Sequence, residues 1–173
     1  IVRPLFVTNS NVEIVLEDGV AVRAKKGEFR GKSDSLFKLC GGVSNVTIRG
    51  EGKATIAMRK RDYLDPAMKY DFSGGHRMTL AVWDAKDVTV KNLTILSSGG
   101  DGVYLNGPEN VVLEDLRCYD HKRQGMSPIN VKGLKVRRCE FNETAGTAPQ
   151  CGIDMEPNYE RHCFTDVVYE DCV

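Results

Sequence analysis

Two stretches of the 173-residue chain superimpose without a gap at a shift of 23 residues, Asp87 to Leu105 over Asn110 to Pro128. The shift lays Val88 on Val111, Val90 on Leu113, Leu93 on Leu116, Ile95 on Cys118 and Gly102 on Gly125. Self-similarity at such a period is the mark of stacked structural repeats, each too small to bury a hydrophobic face alone. The repeat continues through Leu134 to Phe141 and, after a four-residue insertion, through Gly152 to Glu156, and Val167 to Cys172 opens a further copy. Upstream, Asn45-Val-Thr-Ile-Arg-Gly50 matches Asp87-Val-Thr-Val-Lys-Asn92, and Val12 to Val22 suggests a less regular first turn. About six coils result.

Within a coil the apolar residues alternate over short runs, as in Val88 and Val90, Leu93 and Ile95, or Val103 and Leu105, which is the period of a strand. Each coil is therefore two or three short strands separated by Gly, Asn and Asp. Equivalent strands of successive coils would lie parallel, roughly 4.8 Å apart. The expected fold is all-β: a right-handed, single-stranded parallel β-helix spanning 1–173 as one domain.

The coil length, the Asn45-Val-Thr-Ile and Asp87-Val-Thr-Val-Lys-Asn-Leu-Thr-Ile openings and the Gly99-Gly-Asp-Gly-Val-Tyr-Leu105 strand resemble the pectin-lyase-like superfamily of right-handed β-helices. The resemblance covers essentially the whole chain. It implies a polysaccharide or oligosaccharide ligand and a secreted or extracytoplasmic location. It does not fix a reaction, since one fold hosts many.

Lys plus Arg equals Asp plus Glu at 24 each, so no global charge draws the chain to nucleic acid or an anionic membrane. No apolar run is long enough to span a bilayer, and no signal peptide is visible. The chain opens on Ile1 and stops at Val173 within a coil, which reads as a piece of a longer helix. Further coils of the same polypeptide, or another chain, are expected to cover the open C-terminal edge. Of six cysteines, Cys118, Cys139 and Cys172 fall on inward ladders as small apolar fillers, with a Cys139 to Cys172 bridge as the alternative. Cys40, Cys151 and Cys163 have no clear partner.

A β-helix fills its interior, so a ligand must bind outside, under long turns. The longest interruption, 59–78, and the insertion at Ala145 to Pro149 both precede the strand typified by Gly102 to Leu105 and are expected to overhang one groove. Beneath it Val103, Met126 and Ile153 should point inward, with Tyr104, Ser127 and Asp154 outward and Asn106, Ile129 and Glu156 as a second outward ladder. Asp154 and Glu156, two apart on a strand, would stand roughly 7 Å apart, a spacing that suits paired carboxylates acting through a water.

Gly100-Asp-Gly-Val resembles the Asn-Thr-Asp-Gly segment of polygalacturonases, in which that Asp is catalytic, and this implies a catalytic Asp101. The acidic pair and the His-Gly that follow in that family are absent, replaced by Arg123-Gln124-Gly125 and Gln150-Cys151-Gly152. A basic turn, His121, Lys122 and Arg123, stands there instead, and arginine suits the carboxylate of a uronic acid. Tyr104, Ser127 and Asn106 on the outward ladders, with Tyr63, Tyr70, His76, Arg77 and Trp83, are candidates for sugar contacts.

Three functions remain open on the sequence. A glycoside hydrolase would use Asp101, Asp154 and Glu156 as acid and base. A uronate lyase or C5-epimerase would use Arg123, His121 or Tyr104 as base, with Asp154 and Glu156 neutralising the sugar carboxylate or holding Ca²⁺. A non-enzymatic glycan-binding or tailspike-like stalk would need no chemistry at all.

Overall fold

The structure is a computed structural model and describes residues 1–70 and 76–173. The strand pairings are all parallel, and the chain winds through three faces, two stacked six strands deep and the third five. The first face stacks Leu5–Val7, Phe37–Leu39, Leu80–Trp83, the starts of Asp101–Tyr119 and Gln124–Arg137, and Cys151–Ile153. The second stacks Val12–Leu16, Ser44–Gly50, the start of Lys86–Leu96, the middle of Asp101–Tyr119, the end of Gln124–Arg137, and Phe164–Glu170. The third runs from Ala21–Arg23 through Thr55–Ala57 and the ends of the two long strands to Glu140–Asn142.

The 23-residue shift is the physical register: Val88, Leu93 and Ile95 pair with Val111, Leu116 and Cys118. These ladders are the core. Val46, Val88, Val111 and Leu134 line one row and Ile56, Ile95, Cys118 and Phe141 another, nearly all sealed from solvent. Each such side chain contributes roughly 1.5–3 kcal/mol on burial, so stacking supplies what no single coil could.

Corners between faces need left-handed backbone, which Asn and Asp adopt more readily than other side chains. One corner stacks Asn11, Asn45, Asp87, Asn110, Gly133 and Asp166, all at φ between 51° and 73°. Their amides bond along the axis, Asn45 Nδ2 to Asn11 Oδ1 at 2.9 Å and Asn110 Nδ2 to Asp87 Oδ1 at 3.0 Å.

Register slips by one residue at Asn130 and returns at Lys132. Asn106 pairs with Asn130, because the strand bulges between Pro128 and Asn130 where proline lacks an N–H. Asn106 and Ile129 therefore do not form the expected ladder. Ile129 is instead buried with Met78, Ala81 and Tyr104 in a small apolar cluster outside the helix.

All six cysteines are free thiols, with Cys118 and Cys139 in the core and Cys172 packed against it. Burial pushes the Cys139 thiol up to about 11. Among the described residues no helix is long and apolar enough to cross a membrane.

Candidate active site

The two long turns approach each other at Leu64 and Gly146. A five-residue helix, Lys60–Leu64, and a 3-10 turn, Pro66–Met68, form the described part of the 59–78 excursion, of which 71–75 lie outside the described residues. Leu64 reaches the turn at Gly146, where a Cβ would stand 3.6 Å from Leu64 Cδ2 and 3.1 Å from Lys122 Cγ. Ala145 and Thr147 N–H groups donate to the His121 and Lys122 carbonyls, so the insertion is bolted to the neighbouring coil.

Beside this junction, the first face gathers the predicted carboxylates around one guanidinium. Asp101, Gln124 and Cys151 share a ladder, and Tyr104 pairs with Ser127. The Asp154 N–H donates to the Met126 carbonyl, which sets Asp154 opposite Ser127. Arg123 Nη1 donates to both oxygens of Asp101 at 3.2 Å and to Gln124 Oε1 at 2.6 Å, while Nη2 bonds Glu156. Gln124 Nε2 donates to Asp154 Oδ2 at 2.7 Å, and its Oε1 accepts from Ser127 Oγ. Gln124, which marks the departure from the polygalacturonase pattern, thus joins Arg123 and Ser127 to Asp154.

The environments of these groups differ. Asp101 is fully covered, and burial raises its carboxyl from 3.8 to about 7 against the opposing pull of Arg123 and Ser127. Burial alone would lower Arg123, but hydrogen bonds and charge from Glu156 and Asp101 raise it above its ordinary value. Burial likewise raises the Tyr104 hydroxyl, which accepts from Asn106 Nδ2 at 3.3 Å.

Three predicted contact residues lie elsewhere. His121 is wholly buried, with Nδ1 2.9 Å from Ser98 Oγ, and a Cβ on Gly102 would fall 2.4 Å from its Nε2. Burial drops its pKa from 6.5 to about 3, so it is a neutral interior side chain rather than part of a basic turn at the groove. Arg77 is also buried, donating to the Phe29 and Arg30 carbonyls at 3.2 and 3.0 Å. Tyr70 hydrogen-bonds the Glu28 carbonyl at 2.7 Å and packs edge-on against Tyr63. Both hold the long excursion to the 27–31 turn, which leaves neither facing the groove. Lys122 of the same basic turn is buried too, and burial lowers its pKa.

Toward the N-terminal coils, the groove continues as a cleft of about 200 Å³ lined by Ser33, Ser35, Lys38, His76, Met78, Trp83 and Tyr104. Trp83 and Tyr104 lie 5.2 Å apart and tilted, and Lys38 Nζ stands 5.5 Å from the Trp83 ring. Lys38 and the two serines carry no sequence signal, since their approach depends on coil two stacking beneath Trp83. Calcium fits Asp154 and Glu156 poorly: Glu156 is ion-paired with Arg123, Asp154 accepts from Gln124, and among the described residues no group of three or more acidic, His or Cys side chains is arranged to hold a metal ion.

The fold has a solved counterpart in a crystal structure of a candidate glycosyl hydrolase from Parabacteroides merdae. The two match with a TM-score of 0.68 and 16% identity over 98% of this chain and 76% of that one. No curated protein matches the chain. Residues 37–172 match the family described as the right-handed β-helix region, and the chain belongs to that family.

Proposed function

We propose that this chain binds a polysaccharide in the first-face groove and hydrolyses a glycosidic bond there. The observation that carries the reading is a pair of carboxyl groups, Asp101 and Glu156, on one guanidinium but in opposite environments. Asp101 is sealed and holds its proton to about pH 7, whereas the Glu156 side chain is 24% exposed and ion-paired. A carboxyl that burial keeps protonated, beside a more exposed carboxylate, suits the role of acid and leaves the other as base. The shared fork limits their separation to about 8 Å, within the span glycosidases use.

Asp101 would give its proton to the leaving glycosidic oxygen as substrate displaces the Arg123 side chain that covers it. Glu156 would take a proton from the attacking water, or attack C1 itself. Asp154, fixed by Gln124, supports the developing positive charge on the sugar ring. The likeness to the Parabacteroides merdae protein agrees with a carbohydrate ligand.

Proton abstraction from a uronate draws less support. Arg123 and Tyr104 both hold their protons more tightly than usual, and His121 is buried away from the groove. The test incubates the protein with neutral and uronate-containing polysaccharides, with and without EDTA, following reducing ends and the ultraviolet absorbance of unsaturated uronates. Reducing ends without absorbance, insensitive to EDTA, are expected. An absorbance rise, or binding with no cleavage of any polymer, would overturn hydrolysis.

A further inference from the structure

The groove changes sign along its length. At its C-terminal end Arg123 pairs with two carboxyl groups, Asp101 and Glu156, and a third, Asp154, accepts from Gln124 beside them. The cleft at the other end contains no carboxylate among its lining residues, and it holds Lys38 and His76 beside two aromatic rings. Among the described residues Lys38 has no ion pair to a carboxylate, and its ammonium lies over the Trp83 ring, 5.5 Å from the centroid. Tyr104 joins the halves, since it forms one wall of the cleft and pairs with Ser127 on the next coil.

From the reading of the groove as a glycan site, we infer that the Lys38–Trp83–Tyr104 cleft is a subsite for an acidic sugar residue, seated on the rings with its anionic group on Lys38. Sugar rings stack on aromatic faces through their apolar C–H side, and a lysine at the rim of such a platform favours a negatively charged substituent. Trp83 belongs to coil three, and Ser127 and Asp154 to coils five and six. A separation of two to three rungs is roughly 10–14 Å along the axis, so one polymer would present different residues to the two ends. Like charge at the carboxylate end repels an acidic unit there. The fitting substrate is a heteropolysaccharide with acidic residues interspersed among neutral ones, cleaved at a neutral unit, rather than a uniformly charged polyuronate.

The experiment is a binding titration of the purified chain, with cleavage followed separately. The probes are a mixed acidic and neutral heteropolysaccharide, its carboxyl-reduced form, and a sulfated neutral polymer. The acidic polymer should bind about tenfold more tightly than its reduced form, and Lys38→Gln should remove most of that preference. Trp83→Ala should weaken every polymer that binds. A Lys38-dependent preference for the sulfated polymer instead would identify the anion as a sulfate ester. Equal affinity for acidic and reduced polymers, or a preference that survives Lys38→Gln, would overturn the subsite. Cleavage without the preference defeats the subsite and leaves hydrolysis standing; the preference without cleavage does the reverse.

Discussion

A carboxyl group buried beside an arginine is in tension with the fold that holds it. Asp101 has a folded pKa near 7 against 3.8 when free, so the native state binds its proton more tightly than the unfolded chain. Its favourable contribution is complete below 3.8 and is lost as pH rises through 7. Asp101→Asn should therefore stabilise the protein at pH 8 by roughly 2 kcal/mol while lowering hydrolysis about 10³-fold, a trade-off checked by thermal melts and reducing-end assays. His121 has the opposite sign. Its folded pKa near 3 lies below the ordinary 6.5, so stability is full above 6.5 and drains as pH falls toward 3. In His121→Leu the slope of melting temperature against pH in that window should flatten, whatever the variant's absolute stability.

At the level of elements, the 59–70 excursion is a wedge rather than a flexible flap. Tyr63 is its key: it is 1% exposed, stacks edge-on with Tyr70, lies 5.1 Å beneath the Arg77 guanidinium, and fills the space left by the absent side chain of Gly99. Tyr63→Ala should cost about 3 kcal/mol in denaturant unfolding and loosen the junction between Leu64 and Gly146. Aromatic residues in a charged loop look alike in sequence whether they stack on a sugar or on each other. Here the second option holds for both Tyr63 and Tyr70, which are buried against each other, and the 27–31 turn comes close enough to offer Tyr70 a carbonyl.

For the molecule as a whole, stability depends on how closely the coils approach. Gly102, Gly125 and Gly152 stack, and a Cβ on Gly125 would lie 2.5 Å from the Gly152 carbonyl oxygen. Gly125→Ala should force coils five and six apart, lowering stability by about 2–3 kcal/mol and weakening activity because Arg123, Gln124 and Asp154 span that seam. Circular dichroism melts and the reducing-end assay would report both losses together. If the variant kept full stability and activity, the seam would not be the part that orders the site.

The period of 23 and the alternation within it were enough to set the coil, the inward ladders and the face carrying Tyr104, Ser127 and Asp154, because parallel stacking repeats one local pattern. Asn and Asp at the corners were legible for the same reason: each coil demands left-handed backbone at the same place. Asp154 and Glu156 could also be singled out from the repeat, and Asp101 from the resemblance of its Gly100-Asp-Gly-Val segment to the polygalacturonase one. What it could not convey was depth. Whether a polar residue beside a turn faces water depends on what the neighbouring coils and excursions lay over it. Stacking buried His121 behind Gly102, turned Arg77 and Tyr70 into anchors, and closed Arg123 onto Asp101 and Glu156. It also brought Lys38 from coil two against Trp83 in coil three, a contact between residues 45 apart that no periodicity predicts. The sequence by itself determined the ladder on which each residue stands; only the tertiary structure decided which polar groups lost their water, and that loss sets their charge and their chemistry.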